Sequence, residues 1–125
     1  MIVLDSSAII DILAGTKRGE IIREKIAGEI LATTSISVNE VLIGAKEKQR
    51  QSIYDFFEHL EILPFDSASA FKSIEIEEAL GKKGRMIGKL DILIASVCLS
   101  YNLPILTTDN DFESVNGLKV ILVEE

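Results

Sequence analysis

The feature that most constrains this chain is a rhythm of short, β-branched apolar runs alternating with stretches of helical spacing. Ile2-Val3-Leu4 reads as a buried strand, and Asp5-Ser6-Ser7 ends it with residues that cap helices. Helical patterns follow over residues 8–14, stopped by Gly15, and over 17–27, where Ile21, Ile22 and Ile26 recur at helical spacing before Gly28. The spacing then predicts a strand over 30–33, helices over 35–48 and 51–59, a strand over 61–65 broken by Pro64, and a helix over 68–80. Gly81, Gly84 and Gly88 mark a loop. The helix within 87–101 is apolar on nearly every side and therefore central. A strand at 104–107, a helical turn at 109–114 and a last strand at 120–123 complete the pattern. Such alternation predicts an α/β class chain with a parallel sheet in a doubly wound domain.

A chain of 125 residues that is 47% hydrophobic is expected to form one domain over 1–125 with a real core. Disorder requires the opposite composition. Its apolar runs fall far short of the ~20 residues that span a bilayer, and no secretory signal is visible, so no membrane partner is expected. The one cysteine, Cys98, leaves no internal disulfide and fits a reducing, cytoplasmic setting. A net charge of −7 excludes nucleic-acid binding by bulk electrostatics. Yet Lys82, Lys83, Arg85 and Lys89 stand together in an acid-free run that leads into Asp91. A solvated helix end accounts for that run as readily as a binding surface does.

Four acids adjoin the apolar segments: Asp5 after the first strand, Glu40 in a helix, Asp91 opening the central helix and Asp109 after the fourth strand. Each has a local explanation as a cap, a capping-box partner (Ser37-x-x-Glu40) or a first-turn acid. Together they would converge at the carboxyl edge of the sheet, where open α/β folds gather ligands. Two carboxylates ~5 Å apart repel by about 3 kcal/mol at an effective dielectric of 20, so convergence calls for a cation. No histidine or cysteine accompanies the acids, which disfavours zinc; all-oxygen ligation selects Mg²⁺ or Mn²⁺. Metal-assisted phosphodiester hydrolysis is the matching reaction class.

Asp5-Ser6-Ser7, Ser37-x-x-Glu40, Gly88-x-x-Asp91-x-x-Ile94-Ala95 and Leu106-Thr107-x-Asp109-x-Asp111-Phe112 together resemble the signatures of PIN-domain nucleases. More narrowly, they resemble the compact toxin ribonucleases of VapBC-type toxin–antitoxin pairs. The resemblance covers essentially the whole chain, in order. It implies a PIN-like three-layer α/β/α domain with a short, mostly parallel central sheet, and a Mg²⁺- or Mn²⁺-dependent endoribonuclease acting on an RNA substrate. It implies Asp5, Glu40, Asp91 and Asp109 as the catalytic, metal-binding acids, with Ser7, Thr107 and Asp111 beside the ligands rather than among them. Its partners would be a cognate VapB-type antitoxin and a second copy in a homodimer. RNA contact would fall to Lys82, Lys83, Arg85 and Lys89, with Lys17 and Arg18 as further candidates.

Other residues rank lower. Asp109-Asn110-Asp111 is not an EF-hand loop, since Ser114 and Val120 stand where Gly and Glu are required. Cys98 reads as a small buried hydrophobe, His59 as a surface residue and Asp11 as solvated. Ile9, Ile10, Ile12 and Leu13 exceed what one helix face needs and suggest a subunit interface. Two rival functions are a phosphoryl-transfer receiver-like domain, with Asp66 as acceptor and Thr107 as switch hydroxyl but no late lysine except Lys119, and a non-catalytic interaction module of the same fold.

Overall fold

The computed structural model describes residues 1–124. Its strands are β1 (Ile2–Leu4), β2 (Leu31–Thr34), β3 (Glu61–Leu63), β4 (Ile105–Thr107) and β5 (Val120–Leu122), all parallel in the order β3-β2-β1-β4-β5. The helices are α1 (Ser6–Ala14), α2 (Lys17–Ile26), α3 (Ser35–Ile43), α4 (Arg50–Phe57), α5 (Ser67–Lys83) and α6 (Lys89–Ser100). Successive strand side chains alternate between faces. Ile2, Leu4 and Leu106 therefore pack with Ile9, Ile12 and Ile22 from α1 and α2, whereas Val3 and Ile105 pack with α5 and α6. Two apolar cores sandwich the sheet, giving three α/β/α layers. Among the described residues no helix is long and apolar enough to cross a membrane.

The central helix is as apolar as its sequence suggests: Ile92, Ile94, Ala95, Ser96, Val97 and Cys98 are all buried in α6. Burial pushes the Cys98 thiol up to about 12, so it behaves as a hydrophobe. His59 is exposed.

Several local expectations need correction. The helix expected over 35–48 ends at Ile43; Gly44 follows, and a 3₁₀ turn at Glu47–Gln49 leads into α4. The strand expected over 61–65 stops at Leu63, before Pro64. Conversely, α5 runs on through Gly81 to Lys83, because fully buried Leu80 anchors its last turns and Gly84, at φ 65°, supplies the left-handed stop. Asp11 is not solvated: it is 9% exposed, accepts from Thr16 Oγ1 at 2.9 Å and pairs with Arg18 Nε at 2.9 Å. That pairing engages Arg18, one of the further candidate RNA contacts, through Nε. In α1, Ile9 and Ile12 are buried in the core and only Ile10 is freely exposed, so this helix does not present the four-residue interface expected. The large exposed apolar side chains lie elsewhere, with Ile43 and Phe71 each over three-quarters exposed.

Candidate metal centre

The strand order reverses at β1: the chain leaves it toward β2 and β3, then crosses back to build β4 and β5 on its other side. The crevice at the carboxyl ends of β1 and β4 is thus the topological switch point. Asp5 follows β1 directly, and Asp109 leaves β4 two residues after Thr107. Asp91 enters from the first turn of α6 and Glu40 from α3.

Asp5 is 3% exposed and held from three directions. Its Oδ1 accepts from Ala8 N at 3.0 Å and Ser7 Oγ at 2.8 Å, and its Oδ2 accepts from Thr107 Oγ1 at 2.7 Å. The cap to Ala8 is real, yet it uses one oxygen only. Thr107 Oγ1 also accepts from Asp109 N at 3.0 Å, so one hydroxyl ties the first acid to the loop bearing the fourth. Ser7 Oγ accepts in turn from Thr108 N at 3.3 Å. Ser7 and Thr107 therefore orient Asp5 against the β4 loop.

The capping-box reading of Glu40 does not hold, because Thr34 caps α3 by accepting from Ser37 N, and Ser37 lies buried inside the helix. Glu40 Oε1 instead accepts from Ser6 Oγ at 2.9 Å, across 34 residues of sequence. Asp109 does cap the 3₁₀ turn Asn110–Ser114, accepting from Asp111 N at 2.9 Å. That turn brings Asp111 forward: oxygens of Asp91, Asp109 and Asp111 lie within 4.8 Å of one another. The structure thus puts Asp111 in the closest acidic group, whereas Asp5 and Glu40 border it with their own hydrogen bonds. The helical turn expected over 109–114 is this 3₁₀ turn, and it is what brings Asp111 alongside Asp91 and Asp109.

The acids strain one another. Burial, then the negative charges of Asp109, Asp5, Glu40 and Asp111, push the Asp91 carboxyl up to about 6. Burial also raises Asp5, against the hydrogen bonds from Thr107, Ala8 and Ser7 that lower it. A carboxyl raised on folding stabilises the fold while protonated, and that contribution is lost as pH rises through its folded value. The metal-free protein is therefore expected to lose on the order of 1–2 kcal/mol from Asp91 between pH 4 and pH 7, after discounting for its partial exposure. Urea unfolding in EDTA across that range checks this; Asp91→Asn should flatten the dependence, and an unchanged slope would contradict the repulsion.

The donor set is oxygen only, and its charges oppose one another until a cation offsets them. The residues fit a hard divalent ion.

Comparison with known proteins agrees with this fold. Residues 2–118 match the family described as PIN domain, and the chain belongs to that family. Its relatives within the family are VapC proteins. "Ribonuclease VapC" of Rickettsia bellii is 34% identical over 97 residues, covering 70% of this chain and 72% of the relative. "Ribonuclease VapC5" of Mycobacterium tuberculosis is 29% identical over 122 residues, covering 92% and 87%. Among solved structures, VapBC2 from Rickettsia felis, bound to a promoter DNA fragment, matches at TM-score 0.85 and 27% identity over 99% of this chain and 100% of that one. VapBC-1 from nontypeable Haemophilus influenzae matches at TM-score 0.84 and 25% identity, covering 98% of each.

The receiver-like alternative fails on geometry. Asp66 follows β3, an edge strand, and its carboxylate caps α5, accepting from both Ser69 N and Ser69 Oγ at 3.0 Å. Those bonds hold its pKa below the ordinary value. Lys119 precedes β5 rather than following a late strand at the carboxyl edge.

Proposed function

We propose that this chain is a Mg²⁺- or Mn²⁺-dependent endoribonuclease and the toxin of a type II toxin–antitoxin pair. The observation that carries the reading is the approach of Asp91, Asp109 and Asp111 to within 4.8 Å at the switch point, beside buried Asp5. Asp5, Asp91, Asp109 and Asp111 would hold the ion, with Glu40 on its flank. When bound, the ion supplies neutralisation of charge on a phosphoryl group and activation of water. Thr107 and Ser7 keep Asp5 aimed through their hydroxyls, so the acids need not reorganise as substrate arrives. Glu40 Oε1 is occupied by Ser6, while Oε2 has no hydrogen-bond partner among the described residues and can accept a proton from attacking water.

The relatives' names support RNA as substrate: those of Shigella flexneri and Salmonella typhimurium are called tRNA(fMet)-specific endonucleases, at 30% and 27% identity. The VapBC complexes among the structural matches support an antitoxin partner. A net charge of −7 with an acidic crevice suits a partner segment carrying basic side chains. A homodimer would cover exposed apolar residues on α3 and α5, such as Ile43, Phe71 and Ile74, rather than the α1 face.

One experiment tests the whole reading. The purified chain is expected to cut single-stranded RNA with Mg²⁺ or Mn²⁺, to stop on EDTA treatment, to be silenced by the small protein encoded beside it, and to run as a dimer in light scattering. Cleavage that survives EDTA would remove the metal. Absence of cleavage with either ion would remove the enzyme. Undiminished cleavage with the partner added, or a monomer at micromolar concentration, would remove those elements separately.

A further inference from the structure

The basic run ahead of α6 does not act as one patch. Lys89 is committed to Glu77, with Nζ 2.9 Å from Oε2. Lys83, the last residue of α5, donates to Ser114 O at 2.7 Å and Asn116 Oδ1 at 3.2 Å, and so braces the turn that carries Asp111. Lys82 is exposed. Arg85 differs from all three. After the left-handed Gly84, Arg85 N donates back to Leu80 O at 3.0 Å, which swings the side chain toward the 3₁₀ turn. There Nη2 reaches Ser114 Oγ at 3.5 Å, a contact at the long limit that leaves the rest of the guanidinium fork available. Among the described residues no carboxylate forms a salt bridge with it.

Arg85 lines a cleft of about 360 Å³ with Lys83, Asn110, Asp111, Glu113 and Ser114, none of them apolar. Asp111 belongs both to this cleft and to the acidic group with Asp91 and Asp109. A cleft that opens from a phosphate-hydrolysing centre and ends in an uncommitted guanidinium matches a polyanion longer than the reacting group. The Asp111 and Glu113 carboxylates would repel a phosphate placed against them, and the Lys83 ammonium is already engaged by Ser114 O and Asn116 Oδ1, so the fork is the better anchor. We infer that Arg85 binds a phosphate of the RNA strand neighbouring the one held at the acidic group, with Lys83 as a positioning residue that fixes the far wall. The inference rests on the ribonuclease reading above.

The test compares Arg85→Gln, Arg85→Lys and the charge-matched control Lys25→Gln, at an exposed lysine of α2, in the same protein. Binding of a short single-stranded RNA is measured in EDTA across a salt series, and cleavage of the same RNA is measured with Mg²⁺. Losing one phosphate contact should reduce the slope of log K against log salt by about 0.7. Arg85→Gln is expected to show that reduction with about tenfold weaker binding, and to raise KM more than it lowers kcat. Arg85→Lys should keep the slope, and Lys25→Gln should match wild type. Equal effects of Arg85→Gln and Lys25→Gln, or none from Arg85→Gln, in a wild type that binds and cleaves RNA would overturn this inference alone. A wild type that neither binds nor cleaves RNA would overturn it together with the ribonuclease reading.

Discussion

Replacing Asp91 with asparagine is expected to reduce RNA cleavage by about three orders of magnitude while raising the stability of the metal-free protein. The scale is that of removing a preorganised charge from a catalytic centre. Asn keeps the volume of Asp and its place in the first turn of α6, so packing around Ile92 and Ile94 is preserved. What disappears is the negative charge that Asp109, Asp5, Glu40 and Asp111 already resist. Two effects of opposite sign follow from one substitution: metal affinity and activity fall, and unfolding becomes harder. Calorimetry with Mn²⁺, the cleavage assay and a melting curve in EDTA read all three quantities. A first-turn acid that merely complements the helix dipole is worth about 0.3–1 kcal/mol, so its loss would lower the melting temperature and leave cleavage alone. That outcome would return Asp91 to a structural role and favour the non-catalytic interaction module.

The second large effect is predicted far from the acids. Gly19 packs so closely on α1 that a Cβ there would lie 2.2 Å from Asp11 O and 2.7 Å from Asp11 C. Both are backbone atoms, and the same carbonyl accepts from Thr16 N and Thr16 Oγ1, so it has little room to move. Gly19→Ala must push α1 and α2 apart and loosen the Asp11–Arg18 pair that closes their junction. A loss of about 3 kcal/mol is expected, at the upper end for overpacking, or roughly a 10 °C drop in melting temperature for a domain of this size. Thermal unfolding measures it directly, and a shift under 2 °C would show that the helices separate at little cost. Because α1 begins beside Asp5, metal affinity should fall along with stability.

Legibility in the sequence followed the range of the interactions involved. Strand and helix existence came from periodicity, and the central position of α6 from its apolar surround, since burial writes itself into composition. The acids Asp5, Asp91 and Asp109 could be placed because each follows a strand or opens a helix. The local explanation of Glu40, a capping box with Ser37, does not hold: its bond is to Ser6, 34 residues away, and no local pattern reports such a partner. Asp11 was misjudged for the same cause, as a helix-pair junction is a tertiary event, and so is the approach of Asp111 to Asp91. The basic run looked uniform in sequence, but only the folded chain separates Arg85 from Lys83 and Lys89, which are already engaged.

The placement of β1 has a consequence for synthesis. This first strand sits in the middle of the sheet, paired to β2 on one side and to β4 on the other through Val3↔Ile105 and Leu4↔Leu106. Asp5 is translated about a hundred residues before Thr107, which orients it, and before Asp109 and Asp111, which complete the acidic group. A nascent chain tethered to the ribosome has no assembled centre until residue 111 has emerged. A protein that cuts RNA would thereby be harmless to the message and the translation machinery producing it, a delay imposed by strand order alone.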